Sequence, residues 1–214
     1  MQKINTIFWD LDGTLINSEE AHNKAGFEAF KLLNIKVVNH EIPAGVENRG
    51  AFEILTGLKI DSNNNDILFQ KWEKLAIKLV ISYINKDMAI KQSLELFHHF
   101  YDIGLYQAVV SNSNYAVIEH SLKEIGIFDK IDNIHARDLV KNGKPHPELY
   151  LNALKTQTSN KDNCIAFEDS NTGIIAATNA GIQVIGINNS SNILTLLTSE
   201  TQWLKKLTSI FTFR

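Results

Sequence analysis

The sequence predicts an α/β fold in which helices cover both faces of a mostly parallel β-sheet. Four short apolar runs end in polar residues, helical stretches separate most of them, and a long segment without strands follows the first run. The runs are TIFWD (6–10), QAVVSNS (107–113), CIAFED (164–169) and QVIGI (183–187). Their length and β-branched content are typical of strands buried on both faces. Their alternation with helices favours a doubly wound, Rossmann-like sheet.

Three helical stretches are predicted among these strands, at 114–125, 147–154 and 171–180. The last, NTGIIAATNA, is rich in small residues, which lets a helix pack closely against a sheet. The order of strands and helices along the chain is therefore that of an open α/β sheet.

The segment 16–85 interrupts this alternation because it contains no convincing strand. SEEAHNKAGFEAFKLL predicts a helix with Ser18 as its N-cap and two glutamates in its first turn. A second helix, 66–84, places four apolar side chains on one face: Leu68, Trp72, Leu75 and Leu79. We expect residues 1–15 and 86–214 to form the α/β core domain and residues 16–85 to form an inserted α-helical cap domain.

Composition and charge limit the possible partners. The chain has 214 residues, a net charge of −3 and a pI near 6.2, so no nucleic-acid partner is expected. The single cysteine, Cys164, excludes an internal disulfide and a multi-cysteine zinc site. No window approaches 18 consecutive apolar residues, so no membrane partner is expected and a cytoplasmic location is predicted.

Paired polar residues follow three of the four predicted strands. In an open parallel α/β sheet, ligands bind at the carboxyl ends of the strands. Any one pair could belong to an ordinary polar loop, but three pairs at one sheet edge indicate a functional site. The pairs are Asp10 with Asp12, Ser111 with Asn112, and Glu168 with Asp169.

The chemistry that fits these residues is phosphoryl transfer with Mg²⁺. Mg²⁺ takes hard oxygen ligands, commonly one or two carboxylates, and Asp10 and Asp169 could supply them. A carboxylate can attack phosphorus, and a second acid nearby can move the proton. Gly13 allows close approach of a ligand to the backbone. Lys144, between Gly143 and Pro145 in GKPHPELY, would supply the positive charge that the carboxylates and phosphate require.

Four segments together resemble the ordered motifs of the haloacid dehalogenase-like (HAD) hydrolase superfamily: DLDGTL (10–15), VVSNS (109–113), GKPHPELY (143–150) and FEDSNTGIIAATNAG (167–181). The chain is most similar to the phosphoglycolate phosphatase and β-phosphoglucomutase-like branch, in which an α-helical cap follows the first motif. The resemblance covers nearly the whole chain and is weakest in the cap.

The resemblance implies a role for each matching residue. Asp10 would be the nucleophile and Asp12 the general acid/base. Ser111 and Lys144 would bind the phosphoryl group, which would also lie against Leu11 and Asn112. Asp169 would bind Mg²⁺ together with Asp10 and the Asp12 backbone carbonyl, with Glu168 as an adjacent or water-mediated contact.

The substrate is expected to be a small phosphorylated metabolite, selected by the cap. Arg49 and His22 are the cap residues predicted to contact it, although a surface charge and a cap-helix histidine without a chemical role are equally open interpretations. The predicted activity is a Mg²⁺-dependent phosphatase acting through an aspartyl-phosphate on Asp10. The alternatives are a β-phosphoglucomutase-like sugar phosphate mutase with the same nucleophile, and a catalytically silent binding protein.

Overall fold

The computed structural model describes residues 4–41, 46–60, 63–158 and 160–187. These contain five strands: β1 (Thr6–Trp9), β2 (Tyr106–Val110), β3 (Asn133–His135), β4 (Cys164–Glu168) and β5 (Gln183–Gly186). The strands form one sheet in the order β3-β2-β1-β4-β5. Every pairing is parallel, with Trp9 opposite Val109 on one side and Phe167 on the other. The predicted parallel sheet is confirmed.

Four helices cover the two faces of this sheet: α4 (Lys91–Asp102), α5 (Tyr115–Glu124), α6 (Glu148–Thr156) and α7 (Asn171–Asn179). On one face, Ile7, Trp9 and Val109 pack with apolar residues of α4 and α5. On the other face, Phe8 and Ala166 pack with residues of α6 and α7. Side chains that alternate between two buried faces explain why the strands read as continuous apolar runs.

The remaining three helices lie between β1 and α4: α1 (Glu19–Leu32), α2 (Asn48–Thr56) and α3 (Asn63–Tyr83). They share a hydrophobic cluster that contains none of the sheet residues and is built around Phe30, Phe52 and Trp72. The Phe30 and Trp72 rings are stacked with centroids 4.8 Å apart. The part of the segment that the structure describes is thus helical, as predicted.

The chain enters and leaves this helical segment side by side. Asn17 N donates to Met88 O at 2.8 Å, and Ile90 N donates to Leu15 O at 2.9 Å. Ile16 forms an antiparallel bridge with Ala89. These short contacts place α1–α3 directly after β1, at the carboxyl edge of the sheet.

Two elements were not predicted, and one cap differs. Strand β3 has only three residues and lacks an apolar run. Helix α4 was not among the predicted helices, although its own side chains Phe97 and Phe100 are buried. Ser18 precedes α1 as expected, but its hydroxyl makes no cap hydrogen bond. It donates instead to Asp12 Oδ1. Among the described residues, no helix combines the length and the hydropathy that a membrane span requires.

Candidate active site

The turn after β1 places two carboxylates at the carboxyl edge of the sheet. Asp10 N donates to Phe167 O at 2.9 Å, so Asp10 still lies in the plane of the sheet. The chain then turns around Leu11, whose carbonyl accepts from the N–H groups of Thr14, Leu15 and Ile16. Gly13 has a φ of +84°, and a Cβ there would overlap the Asp169 carboxylate. Glycine at this position therefore allows the first and last motifs to meet.

Lys144 connects two buried carboxylates. Its Nζ lies 2.6 Å from Asp10 Oδ1 and 2.6 Å from Glu168 Oε1, and it donates to Val110 O at 2.7 Å. The Lys144 side chain is only 3% exposed. Burial alone would lower its pKa, but the charges of Asp10 and Glu168 raise this pKa above its usual range. Lys144 is a fixed cation within the site.

Asn112 holds the backbone that carries Lys144. Its amide oxygen accepts from Lys144 N at 2.8 Å, and its amide nitrogen donates to Lys144 O at 3.1 Å. A Cβ on Gly143 would lie 2.6 Å from Asn112 Oδ1 and 2.6 Å from Arg137 Cδ, so glycine is needed beside the lysine. The two predicted motifs are therefore joined by reciprocal hydrogen bonds.

Glu168 is fully buried beneath Lys144. The Tyr150 hydroxyl donates to Glu168 Oε1, while Glu168 Oε2 has no hydrogen-bond partner among the described residues. Burial raises the pKa of Glu168 to about 8, although the Lys144 charge opposes this rise. Burial also raises the pKa of Tyr150, with Glu168 adding to the effect.

Asp10, Glu168 and Asp169 form a carboxylate cluster. Each offers one oxygen atom, and these atoms lie within 4.8 Å of one another. Burial and the negative charge of Asp10 raise the pKa of Asp169 to about 7. Burial likewise raises the pKa of Asp10, against the attraction of Lys144. Such a cluster of oxygen ligands suits a hard divalent cation.

Asp12 is held by three side chains. Its Oδ1 accepts from the Ser18 hydroxyl and lies 3.0 Å from His22 Nε2, and its Oδ2 accepts from Ser113 Oγ at 2.6 Å. Ser111 Oγ is more distant, at 3.4 Å from Oδ2. Burial alone would raise the pKa of Asp12, but His22 and the hydroxyls hold it well below its usual range. Burial opposes the charged form of His22, yet Asp12 raises the His22 pKa.

These groups open into a cleft between the sheet edge and helices α1–α3. The cleft encloses about 200 Å³. Asp10, Asp12, Ser111, Lys144 and Asp169 line its floor. Its other walls combine apolar side chains with several asparagines from both sides. A small ligand with one charged end would fit this arrangement.

The family model described as haloacid dehalogenase-like hydrolase matches residues 7–187. This chain belongs to the haloacid dehalogenase-like hydrolase family. The match spans β1 to the end of the described residues and includes all four motifs.

The relatives of this HAD-like hydrolase include named phosphatases. It is 29% identical over 196 residues to the phosphorylated carbohydrates phosphatase of Thermotoga maritima, covering 88% of each chain. It is 26% identical over 202 residues to the validoxylamine A 7'-phosphate phosphatase of Streptomyces hygroscopicus subsp. limoneus, covering 94% of this chain and 93% of the relative. A shorter match, 42% identical over 88 residues, covers 41% of this chain and 40% of the Bacillus subtilis protein YhcW.

Among solved structures, the β-phosphoglucomutase of Clostridium difficile superposes with a TM-score of 0.76 at 23% identity. The superposition covers 99% of this chain and 100% of that chain. At this identity the likeness shows the fold, which is the α/β HAD fold. The chain is a hydrolase of the HAD family, and the relatives place it with the phosphatases of that family.

One predicted contact residue of this HAD-like hydrolase lies away from the cleft. Arg49 is exposed on α2 and is not among the lining residues. Its guanidinium donates to Ile60 O, which holds it on the outer side of the helical segment. Arg49 thus does not face the cleft in this arrangement, and its contact with the substrate stays a prediction. His22 does line the cleft. Residues 42–45, which precede the helix that carries Arg49, lie outside the described residues.

Three residues at the site were not predicted from the sequence: Ser18, Ser113 and Tyr150. Ser113 was visible as the last residue of VVSNS, two positions after Ser111, and residues two apart in an extended chain share a side. Ser18 was interpreted only as a helix cap. Tyr150 lies on α6, and no sequence signal distinguishes a buried tyrosine that binds a carboxylate from one that fills the core.

Proposed function

We propose that this HAD-like hydrolase is a Mg²⁺-dependent phosphatase that hydrolyses a small phosphorylated metabolite through an aspartyl-phosphate on Asp10. The observation that carries the proposal is the position of Lys144, which lies 2.6 Å from Asp10 at the floor of the cleft. A buried ammonium group favours the charged form of the carboxylate beside it, against the effect of burial, and attracts the phosphoryl oxygens. Ser111 and the Asn112-supported loop complete the phosphoryl-binding floor.

The proposed reaction has two halves. A carboxylate oxygen of Asp10 attacks phosphorus, forming the acyl-phosphate bond as the bond to the ester oxygen breaks. Asp12 gives a proton to that leaving oxygen, and the alcohol departs. A water molecule then attacks the phosphoryl group and returns its proton to Asp12, so that inorganic phosphate leaves and Asp10 is restored.

The contacts of Asp12 suit the second half of this reaction. Ser18, Ser113 and His22 all favour its charged form, which is the form that accepts a proton from water. To act as the acid in the first half, Asp12 must exchange some of these contacts for the leaving oxygen. Because Ser18 and His22 belong to the helical insertion, this exchange links proton transfer to the insertion's position.

The carboxylate cluster fits Mg²⁺. Asp10 and Asp169 offer hard oxygen ligands from adjacent strands, and the buried Glu168 Oε2 has no partner among the residues described. Burial and, after it, the negative charge of Asp10 raise the pKa of Asp169 to about 7, although Lys144 opposes this rise. Asp10, Asp169 and the Asp12 backbone carbonyl would hold the ion, with Glu168 adjacent. When bound, Mg²⁺ would neutralise charge that develops on the phosphoryl oxygens.

We further propose that residues 16–85 act as a cap domain on a core formed by residues 1–15 and 86–214. The separate hydrophobic cluster of α1–α3 and the paired crossings at Leu15–Asn17 and Met88–Ile90 support this division. A cap over the carboxyl edge would exclude water from the leaving group and contact it.

The test is hydrolysis of a generic aryl phosphate with Mg²⁺, with and without chelator. Asp10→Asn keeps the shape of the side chain but removes the nucleophile, so turnover should fall by several orders of magnitude. Acid-quenched protein should carry a phosphoryl group in the wild type and none in the variant. Activity of Asp10→Asn within about tenfold of wild type would refute the mechanism. No hydrolysis by the wild type of any phosphate ester would favour a silent binding protein.

A further inference from the structure

The part of the cleft beyond the phosphoryl-binding floor has a distinct composition. Leu55, Trp72 and Val80 form an apolar wall contributed by α2 and α3. Asn17, Asn23 and Asn114 also line the cleft. A leaving group in this space would therefore meet both apolar and polar residues.

The three amides are available to a ligand. Within the described part of the chain, the side chains of Asn17, Asn23 and Asn114 make no hydrogen bond. An amide offers both donors and an acceptor, which matches a hydroxyl group, because a hydroxyl also donates and accepts. Ionised phosphate and carboxylate groups only accept hydrogen bonds. They would therefore use the N–H donors of these amides but not their oxygen acceptors.

Positive charge is scarce in this space. Lys144 and His22 are the cations among the described lining residues, and each already contacts a carboxylate, Asp10 or Asp12. Two further carboxylates, Glu19 and Glu47, line the cleft on the side of the helical insertion. Glu47 is paired with Arg137, so Glu19 is the carboxylate on this side without a cation among the described residues, and no free positive charge balances it.

One guanidinium lies next to the cleft but is already paired. Arg137 follows β3, and its backbone N–H donates to Ser113 O at 3.1 Å. Its side-chain Nε donates to Glu47 Oε2, and its NH1 group donates to Val140 O at 3.1 Å. The Arg137–Glu47 pair crosses from the core to the helical insertion. Glu47 is therefore already paired with the guanidinium group that a second anionic group of a substrate would need.

We infer that this site is specific for phosphate monoesters whose leaving group is uncharged and hydroxylated, and that Glu47 is a specificity-determining residue that excludes a second anion. The inference rests on the proposed phosphatase function and narrows its substrate class. Phosphorylated polyols and sugars with one phosphate belong to this class. Bisphosphates and phosphorylated carboxylic acids do not.

The physical reason is the cost of removing water from an unpaired anion. A second phosphate or carboxylate in the cleft would lose hydration without gaining a cation, and it would lie near Glu47 and Glu19. Breaking the Arg137–Glu47 pair to release the guanidinium would leave a carboxylate without its partner. A hydroxyl group faces neither cost.

The test compares matched esters that differ in one charged group. The full chain with Mg²⁺ is assayed for kcat/KM on fructose 1-phosphate against fructose 1,6-bisphosphate, and on glycerol 1-phosphate against phosphoglycerate. The uncharged leaving group should be favoured by about ten- to a hundredfold in each pair, the scale of one charge-assisted contact. A preference for the charged partner, or a difference below about threefold, would overturn the substrate class. A sugar phosphate mutase that needs a bisphosphate activator would give that result.

Variants test the role of Glu47. Glu47→Gln keeps the shape of the side chain and releases Arg137, so kcat/KM for the charged esters should rise about tenfold, with little change for the uncharged ones. Adding Arg137→Gln should abolish this gain. Glu20→Gln removes an exposed charge of α1 outside the cleft and should change neither class. An unchanged rate on charged esters in Glu47→Gln, or a gain that survives Arg137→Gln, would refute the role.

Binding separates this inference from the proposed function. If the chain hydrolyses no ester, including the aryl phosphate, the phosphatase proposal fails. Titration calorimetry of the same paired esters with Asp10→Asn protein then measures selectivity without turnover. Tighter binding of the uncharged member supports the inference, and equal or weaker binding overturns it.

Discussion

Replacing Lys144 by methionine should destabilise the folded chain and make that loss depend on pH. Methionine has nearly the same length but carries no charge. In the wild type, Lys144 Nζ is within 2.6 Å of both Asp10 and Glu168, and both carboxyl groups are almost fully buried. Without the ammonium group, two carboxylates face each other in a site with little water. Breaking a buried ion pair by removing one partner costs about 3–5 kcal/mol.

The pH dependence follows from the carboxylates. Burial raises the pKa of Glu168 to about 8 even with Lys144 present, so in the variant both carboxyl pKa values should rise further. A group whose pKa is higher in the folded than in the unfolded state binds more protons when folded. Its folded state therefore loses stability as pH rises above the unfolded pKa of about 4.3. Because the wild-type pKa of Glu168 is already about 8, both proteins lose stability alike below that pH, and the variant's further loss through Glu168 develops above it. The variant should therefore be closest to wild type near pH 5 and weakest relative to it at about pH 9.5.

The assay is thermal unfolding in the presence of chelator at about pH 5 and about pH 9.5. For a chain of this size, the loss at the higher pH corresponds to a fall in Tm of about 6–20 °C. Lys141→Met in the same loop is the matched control, because Lys141 is exposed and should change Tm little. A Tm for Lys144→Met within about 2 °C of wild type at the higher pH, or a larger loss at the lower pH, would refute the reasoning.

Four further outcomes are expected. Tyr150→Phe keeps the packing against Phe8 but removes the hydroxyl from Glu168, and denaturant unfolding should show a loss of about 1.5–3 kcal/mol; no change would mean the contact is weak. Burial lowers the pKa of His135 to about 4, so the folded state binds fewer protons than the unfolded state between about pH 4 and 6.5. His135→Gln should therefore remove about 3 kcal/mol of the destabilisation that acid causes in that window. Equal profiles of unfolding free energy against pH for variant and wild type would contradict this. Ca²⁺ should inhibit Mg²⁺-supported hydrolysis because its looser coordination positions the nucleophile poorly; full activity with Ca²⁺ would count against the metal assignment. Arg49→Ala should change kcat/KM less than about threefold on aryl and metabolite esters alike, since Arg49 lies outside the cleft; a selective loss on the metabolite would restore its predicted role.

The sequence predicted the sheet well because its strands are buried on both faces. The four residues CIAF (164–167) have no polar position that would face solvent, so a strand buried on both faces is predictable from the sequence. The meeting of Asp10 and Asp169 was also predictable, because parallel strands bring the residues after their carboxyl ends to one edge of the sheet. Lys144 follows no predicted strand, and its place in the site was expected from the charge that the carboxylates and phosphate require and from the resemblance. Strand β3 was not predicted, because its three residues pair only with β2 at the edge of the sheet.

Several side-chain contacts of the site were not predictable, whether their partners are near or distant in the sequence. Ser113 and Ser18 bind Asp12 from 101 and 6 residues away, and each had an ordinary local interpretation as a loop or cap residue. For Arg49, the position in the sequence suggested a contact with the substrate. The direction of its side chain, however, depends on where α2 packs, which the sequence does not show. The Arg137–Glu47 pair joins residues 90 apart, and neither belongs to a motif.

The charges of the site explain why one end of the cleft can be ionic and the other neutral. Asp10, Asp12, Glu168 and Asp169 outnumber the two cations beside them, Lys144 and His22. Burial and the charge of Asp10 raise the pKa of Glu168 to about 8 and that of Asp169 to about 7, so both carboxyl groups tend to hold protons near neutral pH. A divalent cation would displace those protons and leave the floor able to hold a phosphoryl group. No comparable source of positive charge exists on the leaving-group side among the described residues, where Arg137 is paired with Glu47. In the proposed reaction, charge would therefore recognise the phosphoryl group, and hydrogen bonding and shape would recognise the alcohol.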